Sequence, residues 1–213
     1  MKRLPRPISG QFSATAKWLH WGVAFFLLSV ISVAWGFAFK APSDRAEAIP
    51  AHVSIGLIVV ALTLIRLAWR KAAPPPPTPA TAPGWMHKGA SIGHWLLYAL
   101  ILFQGVIGIW MAALSPVDIR FFNTWDISAL APDSAGSLVY LRQIHFAGAS
   151  LLVITLIGHV AAALWHHFVL RDDVLIRMLP FSVLWQRVTA PMRNRAWRFP
   201  SHSGQNWPTG RRR

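Results

Sequence analysis

Four stretches of this sequence, residues 18–39, 48–65, 89–117 and 143–170, contain no Asp, Glu, Lys or Arg. A bilayer core of about 30 Å is crossed by roughly 20 apolar residues of helix, each adding about 1.5 Å. In hydrocarbon the backbone N–H and C=O groups must be satisfied within the segment, which selects helix over irregular chain. The four stretches therefore predict an all-α fold, an integral membrane four-helix bundle. Only 13% of residues are charged, against about 25% in an ordinary soluble domain, so a water-facing shell cannot be built. The third and fourth windows exceed one span, and their ends belong to the interface or to loops. The first window is 22 residues long, more than the about 7–15 of a signal peptide's apolar region. It also carries His20 between Trp18 and Trp21, which suits a retained helix.

Basic residues set the orientation. The N-terminal arm, the connection between spans two and three with Arg66 at its edge, and the C-terminal tail together hold 17 of the 21 Lys and Arg. Lys40, Arg45, Arg120 and Arg142 make up the rest, beside most of the acids. Positive charge is retained on the cytoplasmic side, so both termini are expected there, N-in and C-in. This gives a basic cytoplasmic arm at 1–17, a transmembrane domain at 18–170 and a basic cytoplasmic tail at 171–213. The Pro74-Pro75-Pro76-Pro77 run within residues 72–83 reads as a stiff polyproline connection on the inner side. Residues 114–140 form the longest loop between spans. The net charge of +14 follows membrane side and does not form one groove-tracking surface, so nucleic-acid binding is rejected.

The chain has no cysteine, which excludes disulfides, iron–sulfur clusters, thiolate zinc sites and covalent c-type haem. It has nine histidines, and an ionisable residue inside a membrane is a functional candidate by default. His20 lies just inside span one on the cytoplasmic side, and His52 at the outer start of span two. His145 and His159 lie near the outer and inner ends of span four. Fourteen residues separate the last two. That is about 1400° of helix, within roughly 40° of four full turns, and about 21 Å of rise. Both imidazoles share a face, and the depths match two pairs, His52 with His145 and His20 with His159.

Two imidazoles facing each other do not complete a zinc tetrahedron. They do fill the two axial positions of a haem iron, whose other four ligands come from the porphyrin, and haem suits a gap between bundle helices. Gly22, Gly56 and Gly148 stand close after the ligand histidines and let a flat macrocycle approach the backbone. The reading is two non-covalent b-type haems.

Arg66 repeats the spacing of fourteen from His52. Two readings stay open for it: a propionate partner at the inner haem, or a flank that snorkels to the inner headgroups. His94 is open to three: a propionate contact, a quinone contact, or a substitute ligand at the inner haem. His87, seven residues before it, shares nearly the same face. His166 and His167 read as interfacial, His202 carries no signal, and Gln104 reads as an interhelical hydrogen-bonding group.

Trp18-Leu19-His20-Trp21, the His52-Val53-Ser54-Ile55-Gly56 start of span two ending in Arg66, and Gly93-His94-Trp95-Leu96-Leu97-Tyr98 resemble the bacterial cytochrome b561 family. So do His145, Gly158-His159, Ala161-Ala162-Ala163-Leu164, His166-His167 and Leu175-Ile176-Arg177-Met178-Leu179-Pro180. The resemblance covers about residues 10–180. It implies a multi-pass protein of the bacterial inner membrane, holding two haems and coupled to the quinone pool. It also implies His20, His52, His145 and His159 as axial ligands. The superoxide oxidase type within this group oxidises superoxide at the periplasmic face and reduces ubiquinone. Lys40, Arg45, Arg120 and Arg142 are then the candidates for attracting the anion. The arginine- and tryptophan-rich tail after Pro180 departs from the pattern. Two other functions stay open: a cytochrome b subunit anchoring a periplasmic dehydrogenase or hydrogenase through residues 114–140, and a haem-free transporter or structural membrane protein.

Overall fold

A computed structural model of the chain describes residues 10–39, 41–76, 84–115, 119–121, 124–126, 135–170 and 172–180. The segment Met1–Pro180 forms one compact unit, and Phe181–Arg213 a second that lies outside the described residues. So does the tail signal at Trp185, Trp197 and Trp207.

Four long helices carry the fold: α1 (Ala14–Gly36), α2 (Pro42–Ala72), α3 (Gly84–Ala113) and α4 (Ala135–Phe168). Each contains a window long and apolar enough to cross a membrane. A short helix, α5 (Val174–Met178), follows. Large apolar side chains lie exposed along the spans, among them Phe25, Phe103, Phe146, Ile154 and Ile157. A helix that is apolar all round belongs in lipid.

The helices outrun the charge-free windows. Ser13 caps α1, its side chain accepting from the Ala16 N–H at 3.2 Å, so the helix starts before Lys17. Pro42 sits in the first turn of α2, where its missing N–H costs nothing. That helix continues past Arg66 through Arg70 and Lys71, because long basic side chains are good helix formers and suit the last turn. The expected loop at 114–140 is shorter, since α4 begins at Ala135. Within it, β1 (Arg120–Phe121) pairs antiparallel with β2 (Trp125–Asp126), Arg120 opposite Asp126.

Helix α1 packs on α2, α2 on α3 and α3 on α4. A buried layer closes the middle with Leu27, Val59, Ile101 and Leu152, one from each helix, joined by Val23 and Leu100. These four stand seven residues after His20, His52, His94 and His145 respectively. Seven residues is about 20° short of two turns, so each helix turns its histidine and its layer residue to the same side. At the His52 end, Ala112 and Ile119 pack with Ile49, Val53, Leu57 and Phe121, which seats β1 on the start of α2.

Close packing of α2 on α3 depends on Gly105. A Cβ there would lie 2.3 Å from Val60 Cγ2.

Candidate functional site

The aliphatic layer divides the bundle into two histidine levels. At one, the rings of His52 on α2 and His145 on α4 have centres 6.3 Å apart, with planes at 74°. At the other, His20 on α1 and His159 on α4 stand 6.3 Å apart at 63°. Imidazole nitrogens bind a first-row metal at about 2.0–2.1 Å, so two rings facing each other across one ion have centres about 6 Å apart. Both pairs meet that requirement.

Other observations bear on whether haem fits. The Nδ1 atoms of His20, His52 and His145 are buried without a hydrogen-bond partner, although the His52 ring approaches the Val30 backbone. A Cβ on Gly56, one turn after His52, would meet no atom within 4 Å, so the helix offers open space on that side. The donor set is imidazole alone at each level, and the described residues contain no cluster of three or more His, Asp or Glu able to cage a bare ion. The residues present fit a group that needs one imidazole from each side.

The remaining sequence candidates fall as follows. Arg66 stands close enough to His20, His94 and His159 to interact with them electrostatically. Its guanidinium lies 5.5 Å from the centre of the Tyr98 ring, within cation–π range. His94 lies against His159 at 5.2 Å between ring centres. A cleft at this end is lined by Phe12, Arg66, Trp69, His94, Tyr98 and Met178. Gly148 faces α3, where a Cβ would lie 3.1 Å from Gln104 Nε2 and from Phe103 Cε1. His166 pairs with Asp172 at 2.5 Å, and Asp172 also accepts from the Val174 N–H at 3.1 Å, which turns the chain into α5.

Several contacts hold the His20 end together. Trp69 Nε1 donates to Ser13 Oγ at 3.1 Å, and Trp21 Nε1 to the Met178 carbonyl at 3.0 Å. Arg177, buried on α5, donates through Nε to the Gly10 carbonyl at 2.6 Å. Gly10 has φ +100°, a conformation that favours glycine. Gly10 and α5 are thereby tied together beside the cleft.

Sequence reasoning passed over Phe37, 5.6 Å from the His52 ring, and Gly108, whose Cβ position lies 3.6 Å from His145 Cε1. Gln104 does hydrogen-bond between helices. Its partner, the His145 carbonyl, depends on the register of α3 against α4, which spacing along one helix does not give.

Comparison with known proteins bears on this arrangement. Residues 11–181 match the family model described as prokaryotic cytochrome b561. Cytochrome b561 homolog 2 of Escherichia coli K12 is 30% identical over 177 residues, covering 80% of this chain and 90% of that protein. Cytochrome b561 homolog 1 of the same strain is 27% identical over 172 residues, covering 80% and 97%. The probable superoxide oxidase CybB of Yersinia pestis is 28% identical over 174 residues, covering 76% and 94%. The chain belongs to the prokaryotic cytochrome b561 family, whose members are haem b-binding electron-transport proteins of the membrane.

Proposed function

We propose that this member of the prokaryotic cytochrome b561 family is a di-haem electron carrier of the bacterial inner membrane, linking a donor on the periplasmic face to the quinone pool. His52 and His145 hold one haem b toward the periplasm, and His20 and His159 hold the other toward the cytoplasm. The observation that carries this is the repetition of one 6.3 Å imidazole pair at two levels of a single bundle. The levels stand about 21 Å apart along α4, by fourteen residues of rise, inside a bilayer core of about 30 Å. Both termini, with the basic segments 1–17 and 171–213, face the cytoplasm on the charge argument. Haem b, when bound, supplies a one-electron carrier. Held by two imidazoles, each haem would supply electron transfer without substrate binding at the metal.

The donor reaction best supported is superoxide oxidation, the activity that the name of the Yersinia pestis relative carries. Two superoxide anions each give up one electron and leave as two O2. The two electrons, with two protons, turn one ubiquinone into ubiquinol. Exposed Arg142 lies one turn before His145 on α4, and exposed Arg120 lies on β1. Both would attract an anion to this end. At the other end, the cleft between Trp69, Tyr98, His94 and Arg66 offers aromatic faces and hydrogen-bond donors, which suit a quinone ring.

Haem quantified per chain, with a reduced-minus-oxidised spectrum, tests the carrier. Two haems are expected, and a colourless protein would refute the reading. Superoxide-dependent quinol formation by the purified protein then tests the donor. Quinone reduction only through a co-purifying periplasmic enzyme would favour the anchoring-subunit alternative.

A further inference from the structure

We propose that Gln104 is a positioning residue for the His52/His145 pair, its carboxamide fixing the turn of α4 that presents the His145 ring. The proposal rests on the reading of that pair as haem ligands. Gln104 lies within the apolar stretch of α3, where water is not at hand to satisfy a polar side chain. Its Nε2 donates to the backbone carbonyl oxygen of His145 at 2.8 Å. A carbonyl oxygen has two lone pairs, so it accepts this bond beside its helical one. The peptide of the ring-bearing residue is thereby tied to a neighbouring helix. Gln104 Oε1 is buried without a partner. The side chain leaves its acceptor unpaired while keeping this donor bond.

Two glycines shape the same contact. Gly148, three residues after His145, leaves room that a Cβ would narrow to 3.1 Å from Gln104 Nε2. Gly108, one turn beyond Gln104, brings the α3 backbone up to the ring itself, its Cβ position 3.6 Å from His145 Cε1. Ligand histidines are usually oriented by a hydrogen bond to the nitrogen that does not bind metal. His145 Nδ1 is buried without such a partner. Orientation of this ring falls instead to the backbone anchor at Gln104 and to the close surface at Gly108.

The test uses the full-length, haem-loaded protein in detergent. His145→Ala first identifies which ferric low-spin signal belongs to this pair, by its disappearance. Gln104→Met keeps the length of the side chain and removes the donor. Both haems are expected to stay bound, while the His52/His145 signal moves in its largest g value and in midpoint potential and the other signal stays in place. Gln104→Glu, whose carboxyl in its protonated form donates to the same carbonyl, should return the signal toward its parent position. Gln104→Asn shortens the side chain and withdraws its donor from the same carbonyl, and should move the same signal. It decides the matter if Gln104→Met does not fold. An unchanged His52/His145 signal in whichever of these variants folds would overturn the positioning role. Retention of two haems by His145→Ala would instead overturn the ligand assignment beneath it.

Discussion

The ring centres of His20 and His159 stand 6.3 Å apart, although α1 and α4 each pack their backbones most extensively on another helix. Close backbone packing runs instead from α1 to α2, α2 to α3 and α3 to α4. The imidazoles reach across the less closely packed side of α4. His20→Ala or His159→Ala is therefore expected to remove one haem, and His52→Ala or His145→Ala the other. Haem per chain, measured by extraction and pigment assay, should fall from two to one in each case. The surviving spectrum should be shared within each pair of variants and differ between the pairs.

The planes within the two pairs lie at 74° and 63°. Axial imidazoles held far from parallel leave the ferric iron's lower orbitals nearly degenerate, which spreads its magnetic anisotropy. Electron paramagnetic resonance of the oxidised protein is expected to show two strongly anisotropic low-spin signals. An ordinary rhombic pattern from both centres would mean that the rings turn parallel.

Arg66 places a positive charge beside His20, His94 and His159. A cation near an iron centre favours the reduced, less positive state. Arg66→Ala should lower the midpoint potential of the haem at this level by an amount on the order of 1–2 kcal/mol. It should leave the other level nearly unchanged, since that lies farther along the bundle. Arg66→Lys should retain most of the potential while losing the planar contact with Tyr98. Redox titration of the two haems separates these outcomes.

Gly105 sits at a tight seam between α2 and α3, with Val60 Cγ2 2.3 Å from where a Cβ would sit. Valine is stiff about χ1, so Gly105→Ala should force the helices apart and cost about 1–3 kcal/mol. Val60→Ala in the same chain should recover much of that loss. Thermal unfolding followed by haem release gives the comparison.

Leu152, 5% exposed, packs in the central layer midway between His145 and His159. Leu152→Ala should destabilise the bundle by about 2–5 kcal/mol through the cavity left behind. Both haem spectra should persist at low temperature, because no ligand is removed.

The spans were legible because Asp, Glu, Lys and Arg are costly in hydrocarbon, and their absence marks length directly. The spacing of fourteen between His145 and His159 was legible because helix geometry converts it to a shared face. Helix ends were not. Lys17, Arg66, Arg70 and Arg142 interrupt the apolar windows yet continue the helices, since interfacial charge and helical backbone are compatible. What α3 does at the site was hidden for another reason. Gly108 meets the His145 ring and Gln104 meets its carbonyl only through the mutual register of two helices, and no single-helix period encodes that. Gly148 follows His145 by three residues in sequence, but its small side packs against α3.

α4 supplies one imidazole to each level, while their partners come from two different helices. A slide or a roll of α4 along its axis would disturb both imidazole pairs together, whereas a shift of α1 or α2 would reach only one. Lateral pressure or thickness changes in the surrounding lipid, acting on this one rod, would then alter the spacing within both pairs in concert.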